Sequence, residues 1–210
     1  MPPSDQSHIV VLAAGRGTRM GGPKAVMRVG DRPWCQIQCE RLETTCIPVT
    51  WVVSDESLTA LKSLRDAGCK VARTVLADSG RPMFESLVAG VAAVRPQLGS
   101  APAGGLFVLP VDVPAASPGV WQTLRVSQHV AVPAYRGATG HPVFLPWPWV
   151  DQHLKVPNSS HGAAPPRLDY LMASDRIVIE ADDPDVAVNL NTTEDIAAWL
   201  GSRSASGGGR

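Results

Sequence analysis

The chain has 210 residues, 44% of them hydrophobic, with 19 Lys and Arg balanced by 19 Asp and Glu. That length makes one domain, at most two, and buries roughly 70% of the surface an unfolded chain exposes, so folding needs neither disulfides nor a structural metal. Zero net charge removes the general electrostatic case for nucleic acid or an anionic membrane as the main partner, and the 19 Gly and 19 Pro point to defined turns.

Residues Met1 to Ser7 are polar and read as a loose N-terminus. His8 to Ala14 is a buried strand, followed by a glycine-rich loop. Trp34 to Thr45 follows Pro33, which suits the first turn of a helix. Val49 to Val53 is a second strand, Leu58 to Arg65 a helical stretch with Gly68 as its stop, and Lys70 to Val75 a weaker strand. Phe84, Leu87, Val88, Val91 and Val94 form the apolar stripe of a helix laid on a sheet. Leu106 to Leu109 is a third buried strand. Pro146 to Pro166 reads as an irregular excursion. A capping-box pattern at Thr192 to Asp195 opens a last helix that runs to Leu200. Gly201 to Arg210 is a Gly/Ser tail outside the fold, which leaves residues 8–200 as a single domain.

Strand–helix alternation of this kind predicts an α/β fold, a mostly parallel twisted sheet with helices on both faces. Ligands of such sheets bind beyond the carboxyl ends of the strands. Cys35, Cys39, Cys46 and Cys69 form no CxxC pair, and read as reduced thiols of a cytoplasmic protein. The apolar run Ile9 to Ala14 is too short for a signal-peptide core or a membrane span, and no basic segment precedes it.

The loop after the first strand, Gly15-Arg-Gly-Thr-Arg-Met-Gly-Gly-Pro-Lys24, carries four glycines and three cations, Arg16, Arg19 and Lys24. Free N–H groups and cations in one short segment suit a polyanion such as a nucleoside triphosphate. Two familiar templates fail. The GxGxxG fingerprint needs a glycine where Met20 stands, and GxxxxGK[ST] aligns on Gly17 and Gly22 but meets Pro23 and then Lys24-Ala25.

The run Leu12-Ala-Ala-Gly-Arg-Gly-Thr-Arg-Met-Gly-Gly-Pro-Lys24 resembles the opening motif of the nucleotidyltransferases typified by molybdenum cofactor cytidylyltransferase and molybdopterin guanylyltransferase. The resemblance implies a Rossmann-like fold of the nucleotide-diphospho-sugar transferase type. It places Leu12, Ala13, Ala14, Gly15, Arg16 and Gly17 on the nucleotide and makes Arg19 and Lys24 catalytic cations. Cytidylyl members tend to carry Ala-Ala-Gly where guanylyl members carry Ala-Gly-Gly or Gly-Gly, so Ala13-Ala14-Gly15 leans toward CTP.

Leu109-Pro-Val-Asp112-Val-Pro114 ends a buried strand with one carboxylate between prolines. A fixed carboxylate anchors Mg2+ in phosphoryl-type transfer, although an aspartate there also serves as a turn or cap residue. Its similarity to the family's PxDxP motif implies a metal role for Asp112. Gly80 to Gly90 resembles the segment of cytidylyl enzymes that lies against the nucleotide, which implicates Ser86 and Gly90. On the residues alone these serve equally as helix surface and close packing. Gly140-His141-Pro142 resembles the Gly-His-Pro segment near the acceptor. Val188 to Asp195 resembles an Asp-Ile-Asp-Thr-Pro-Glu-Asp element, implying Asn189 as a second metal ligand. Both aspartates of that element are Asn here, nearer the guanylyl branch, and Thr193 replaces the proline. The Gly-Asp…Gly-Ala-Arg region of cytidylyl enzymes is not reproduced; Asn158 to Arg167 stands roughly in its place.

These readings imply Mg2+-dependent transfer of a nucleoside monophosphate, CMP favoured, from its triphosphate to a phosphorylated acceptor, with molybdopterin preferred and a molybdoenzyme as eventual recipient. Guanylyl transfer, a sugar-1-phosphate or phosphoalcohol acceptor, and a non-catalytic nucleotide- or molybdopterin-binding protein are the alternatives.

Overall fold

The computed structural model describes residues 5–17, 21–66, 73–154 and 166–206. Strand β1 (His8–Ala13) is buried at every position, as a central strand covered on both faces requires. Beyond the glycine loop, β2 (Arg28–Val29) and β3 (Arg32–Pro33) make a small hairpin that leads into α1 (Trp34–Glu43). There follow β4 (Val49–Val53), α2 (Asp55–Asp66), β5 (Thr74–Leu76), α3 (Met83–Val94) and β6 (Gly105–Pro110). The second half holds α4 (Pro118–Arg125), β7 (Val130–Tyr135), β8 (Ala138–Thr139), β9 (Val143–Pro146), α5 (Trp147–His153), α6 (Leu168–Leu171), β10 (Arg176–Glu180) and α7 (Thr193–Ser206).

The main sheet runs β10-β7-β9-β6-β1-β4-β5, with β8 folded back on β7. All pairings along this path are parallel except those of β9, which lies antiparallel between β6 and β7. The chain winds outward from β1 to β4 and β5, then crosses to β6 on the other side of β1. The reversal puts a crevice at the carboxyl ends of β1 and β6.

Alternation along the strands divides the core. Val11, Ala13, Trp51, Phe107 and Leu109 pack with Trp34, Leu61, Trp121 and Trp199 on one face, under α1, α2, α4 and α7. Val10, Leu12, Val52, Leu106 and Val108 pack with Phe84, Leu87, Val91 and Trp147 on the other, under α3 and α5. The expected α/β class, with helices on both faces, is the observed one.

Several elements differ from the sequence reading. The third strand outward is Thr74–Leu76 rather than Lys70 to Val75, and Gly68 lies outside the described residues. Strands β7, β9 and β10 fall where no strand was expected. Pro133 interrupts the β7 run, and β9 and β10 are only 4 and 5 residues long. The supposed irregular excursion begins as a helix, α5, in which Trp147 is fully buried. At the start of the chain, Asp5 bridges to Ala103 and its carboxylate takes both the N–H and the hydroxyl of Ser7. At the other end α7 continues through Ser206, because Arg203 has partners to reach.

Candidate functional site

The two loops leaving β1 and β6 are held side by side by the Val111 N–H, which donates to the Leu12 carbonyl at 3.0 Å. In the first loop Gly17 has φ +59°, and a Cβ there would run into the Gly22 carbonyl. The Gly22 N–H closes the loop by donating to the Gly17 carbonyl at 3.3 Å. This position therefore requires glycine. The turn Lys24–Val26 follows, and the Lys24 Nζ reaches the Asp112 Oδ2 at 2.9 Å, the Asn191 Oδ1 at 3.3 Å and the Leu190 carbonyl at 3.4 Å.

Asp112 is fixed from two sides. The Leu190 N–H donates to its carbonyl at 2.7 Å. On the other side α1 grips the segment by three side chains at i, i+4 and i+7, one face of a helix. Trp34 Nε1 donates to Val111 O at 2.7 Å, Gln38 Nε2 to Val113 O at 2.6 Å and Arg41 Nε to Ala115 O at 2.7 Å. Gln38, fully buried, also accepts from the Ala115 N–H at 2.8 Å. The loop's carbonyls are thus satisfied by side chains instead of a neighbouring strand.

Arg41 continues to Asp185, whose carboxylate also takes the Trp199 indole N–H at 2.7 Å and pairs with Arg203. The two guanidiniums sit on the Trp199 ring, 5.2 and 5.1 Å from its centroid. Helix α7, capped where Thr192 Oγ1 accepts from the Asp195 N–H and the Asp195 carboxylate accepts from the Asn191 and Thr192 N–H groups, is thereby locked beside the site.

Two adjoining cavities open here. The smaller, about 230 Å³, is bordered by Ala14, Gly15, Gly17, Lys24, Ser86 and Asp112, with Asp78, Ser79 and Arg81 opposite. The larger, about 510 Å³, shares Leu12, Met83 and Pro110 with it and has mostly apolar walls, among them Phe84, Leu87, Val132 and Met172. Thr139, Gly140, His141, Arg167, Asp169 and Arg176 also stand on its border. A Cβ on Gly140 would run into the Val186 backbone. The next residue, His141, donates its backbone N–H to the Val186 carbonyl at 2.8 Å and joins Pro142 through a cis peptide bond. The His141 Nδ1 is buried without a hydrogen-bond partner. Burial lowers its imidazole pKa, opposed by the Val108 carbonyl and the Asp112 charge, so the ring is neutral at pH 7.

Of the residues singled out in the sequence, Leu12, Ala14, Gly15, Gly17, Lys24, Ser86 and Asp112 meet at the smaller cavity, and Gly140 and His141 at the larger. Arg16 stands at the rim, its Nε 3.3 Å from the Ser79 hydroxyl. Ala13 turns to the opposite face of the sheet, and Pro142 is buried. Gly90 is not brought to the cavities. It faces β1 and β4, where a Cβ would lie 2.8 Å from Val10 Cγ1 and 2.9 Å from Val52 Cγ2, so it lets α3 sit close on the sheet. Asn189 is exposed, and the amide that reaches Lys24 is that of Asn191. Arg19 lies outside the described residues. Asp78, Ser79 and Arg81 were not singled out. Their signal is the polar turn Asp78-Ser-Gly-Arg81 directly before α3, where Asp78 accepts from the Gly80 N–H at 2.8 Å.

Residues 9–167 match the MobA-like NTP transferase domain. The chain belongs to that family. This NTP transferase domain also resembles a homologue of Mycobacterium tuberculosis Rv0371c from Mycobacterium sp. strain JC1, with TM-score 0.72 and 18% identity over 96% of this chain and 98% of the other. The Mycobacterium tuberculosis protein itself is known in complex with manganese. A 4-diphosphocytidyl-2C-methyl-D-erythritol synthase from Anaerococcus prevotii aligns with TM-score 0.68 and 14% identity, covering 94% and 96% of the two chains. Molybdopterin-guanine dinucleotide biosynthesis protein A from Archaeoglobus fulgidus aligns with TM-score 0.59 and 13% identity, covering 94% and 99%. No curated protein matches the sequence significantly. Among the described residues no helix is long and apolar enough to cross a membrane.

Proposed function

We propose that this NTP transferase domain moves CMP from CTP to the phosphate of molybdopterin with release of pyrophosphate, and that the product passes to a molybdoenzyme. The observation that carries the reading is the Lys24–Asp112 pair at 2.9 Å, one cation and one carboxylate fixed at the mouth of a glycine loop. The triphosphate lies along that loop with Lys24, Arg16 and Arg19 on its oxygens. The acceptor phosphate comes from the larger cavity. Its mostly apolar walls suit the face of a heterocyclic acceptor, and Arg167 and Arg176 on its border suit that acceptor's phosphate.

The donor set fits a divalent ion shared with substrate phosphates. Among the described residues no three His, Cys, Asp or Glu side chains converge. Asp112 with an amide oxygen, Asn191 in reach and Asn189 two residues earlier, leaves the remaining positions to phosphate and water, as Mg2+ prefers. When bound, the ion supplies charge stabilisation at the α-phosphate. The chain's own contribution is alignment: Asp112 held by α1 and Leu190, Lys24 neutralising the leaving pyrophosphate, and His141 at the wall toward the acceptor. An ionised acceptor phosphate needs no general base.

The test is pyrophosphate release with CTP or GTP, Mg2+ or Mn2+, and molybdopterin, a sugar-1-phosphate or a phosphoalcohol. CTP with molybdopterin is expected to turn over, with Asp112→Asn slower by about 10²-fold or more. Unchanged turnover in a folded Asp112→Asn protein would overturn the site. The amide at Asn191, where cytidylyl enzymes carry an acid, favours GTP as the second reading. Nucleotide binding without turnover on any acceptor would make the protein a carrier.

A further inference from the structure

Strand β10 runs along an edge of the main sheet, and its partner among the described residues is β7, in parallel register with Glu180 beside Ala134. The Ala181 N–H donates to the Ala134 carbonyl at 2.7 Å. In a parallel ladder these two facts fix the phase: the backbone groups of Ile177, Ile179 and Ala181 face β7, and those of Val178 and Glu180 face outward. The Arg176 carbonyl faces outward too, while its N–H is taken by Met172 O at 3.0 Å.

The side chains along this edge are Arg-Ile-Val-Ile-Glu. Ile177 and Val178 are 40% and 52% exposed. Arg176 and Glu180 are exposed, and neither has an ion-pair partner among the described residues. Edge strands of soluble proteins are usually blunted by a charge or proline in their middle. Here the middle is apolar, and opposite charges stand at the two ends.

We propose that β10 pairs antiparallel with β10 of a second copy of this chain, about a two-fold axis through Val178. In that register Val178 faces the partner's Val178, Ile177 faces the partner's Ile179, and Arg176 faces the partner's Glu180. Symmetry repeats the ion pair at the other end. The backbone phase permits any register centred on a residue; the charges select Val178, because no other centre sets Arg176 against the partner's Glu180. Val178 exchanges two hydrogen bonds with its counterpart, each Glu180 N–H meets the partner's Arg176 carbonyl, and no bond to β7 is lost. A five-residue strand covers less area than a permanent dimer needs, so the association is weak and concentration-dependent. Because Arg176 also borders the larger cavity, the dimer ties that wall to the partner.

The register is tested by cysteine cross-linking of the full chain in a Cys46→Ser, Cys69→Ser background. Opposed residues of a hydrogen-bonded pair have Cα atoms about 5.5 Å apart, within disulfide reach. Val178→Cys is therefore expected to oxidise to a covalent dimer. Glu180→Cys, whose counterpart lies four residues away at about 13 Å, is not. Adding Arg176→Glu or Glu180→Arg to Val178→Cys sets like charges together at both ends and should lower cross-linking at least about fivefold; both together should restore it. Residues 46, 176, 178 and 180 are exposed, and circular dichroism checks each variant's fold. No cross-link at residue 178 beyond that at residue 180, or failure of the double swap to restore it, overturns the proposal.

Discussion

The Lys24 ammonium lies 2.9 Å from the Asp112 carboxylate, so a divalent ion approaching that carboxylate competes with a tethered cation. A triphosphate changes the balance, since its oxygens give the ammonium another partner. Metal and nucleotide should therefore bind with mutual reinforcement. Lys24→Met is expected to tighten Mn2+ alone by up to about tenfold and to weaken CTP or GTP by about tenfold or more, read by calorimetric titration. Weaker Mn2+ binding in that variant would mean the lysine does not compete at Asp112. Both residues were legible in the sequence because each sits in a short motif directly after a buried strand. The choice between Asn189 and Asn191 was not. Along an extended segment alternate residues point alike, and only the fold shows that it is the Asn191 amide that reaches Lys24.

Among the elements, α1 does the most to shape the site. Its stripe of Trp34, Gln38 and Arg41 gives the Asp112 segment the hydrogen bonds that a strand would have found in a sheet. Replacing Gln38 by Leu leaves the Val113 carbonyl and the Ala115 N–H buried and unpaired, at a cost of about 2–4 kcal/mol in chemical denaturation. Turnover should fall with it, through kcat more than through nucleotide affinity, because the displaced group is Asp112. Helix α7 is the second case. Deleting residues 201–210 removes Arg203 from Asp185 and from the Trp199 ring, and is expected to cost about 1–3 kcal/mol, since Arg41 still pairs the acid. An unchanged denaturation midpoint would return those residues to the status of a tail. Sequence patterning found α1, α3 and the start of α7. It could not find the polar stripe on α1, because a buried glutamine reads as surface until its partners are known.

For the molecule as a whole, acid stability has an identifiable origin. His8 is buried beside Thr50, whose Oγ1 is 2.9 Å from its Nε2. Burial, with Arg73 adding repulsion, lowers its pKa from 6.5 to about 4. The unfolded chain therefore takes up the proton first. The contribution of neutral His8 is complete above about pH 6.5 and is lost as the pH falls toward 4, up to about 3 kcal/mol in all. His8→Asn should show a flatter loss of denaturation midpoint between those pH values than the parent. Equal slopes would place the acid sensitivity elsewhere, His141 being the next group shifted the same way. The fold class was legible at this scale because the residues 8–110 obey strand–helix alternation. Beyond Pro110 the strands are short, Pro133 breaks one run, and β9 is antiparallel, so the pattern no longer repeats.

The position of β9 bears on how the chain is made. β7 emerges from synthesis before β9, yet its route into the sheet passes through β9, which lies between it and β6. Until residue 146 is available, β7 has no place beside the half built on β1, β4, β5 and β6. β7 therefore joins the sheet only with or after β9, whose register against β6 spans four residue pairs, so the border that β7 gives the larger cavity closes only once β9 is in place.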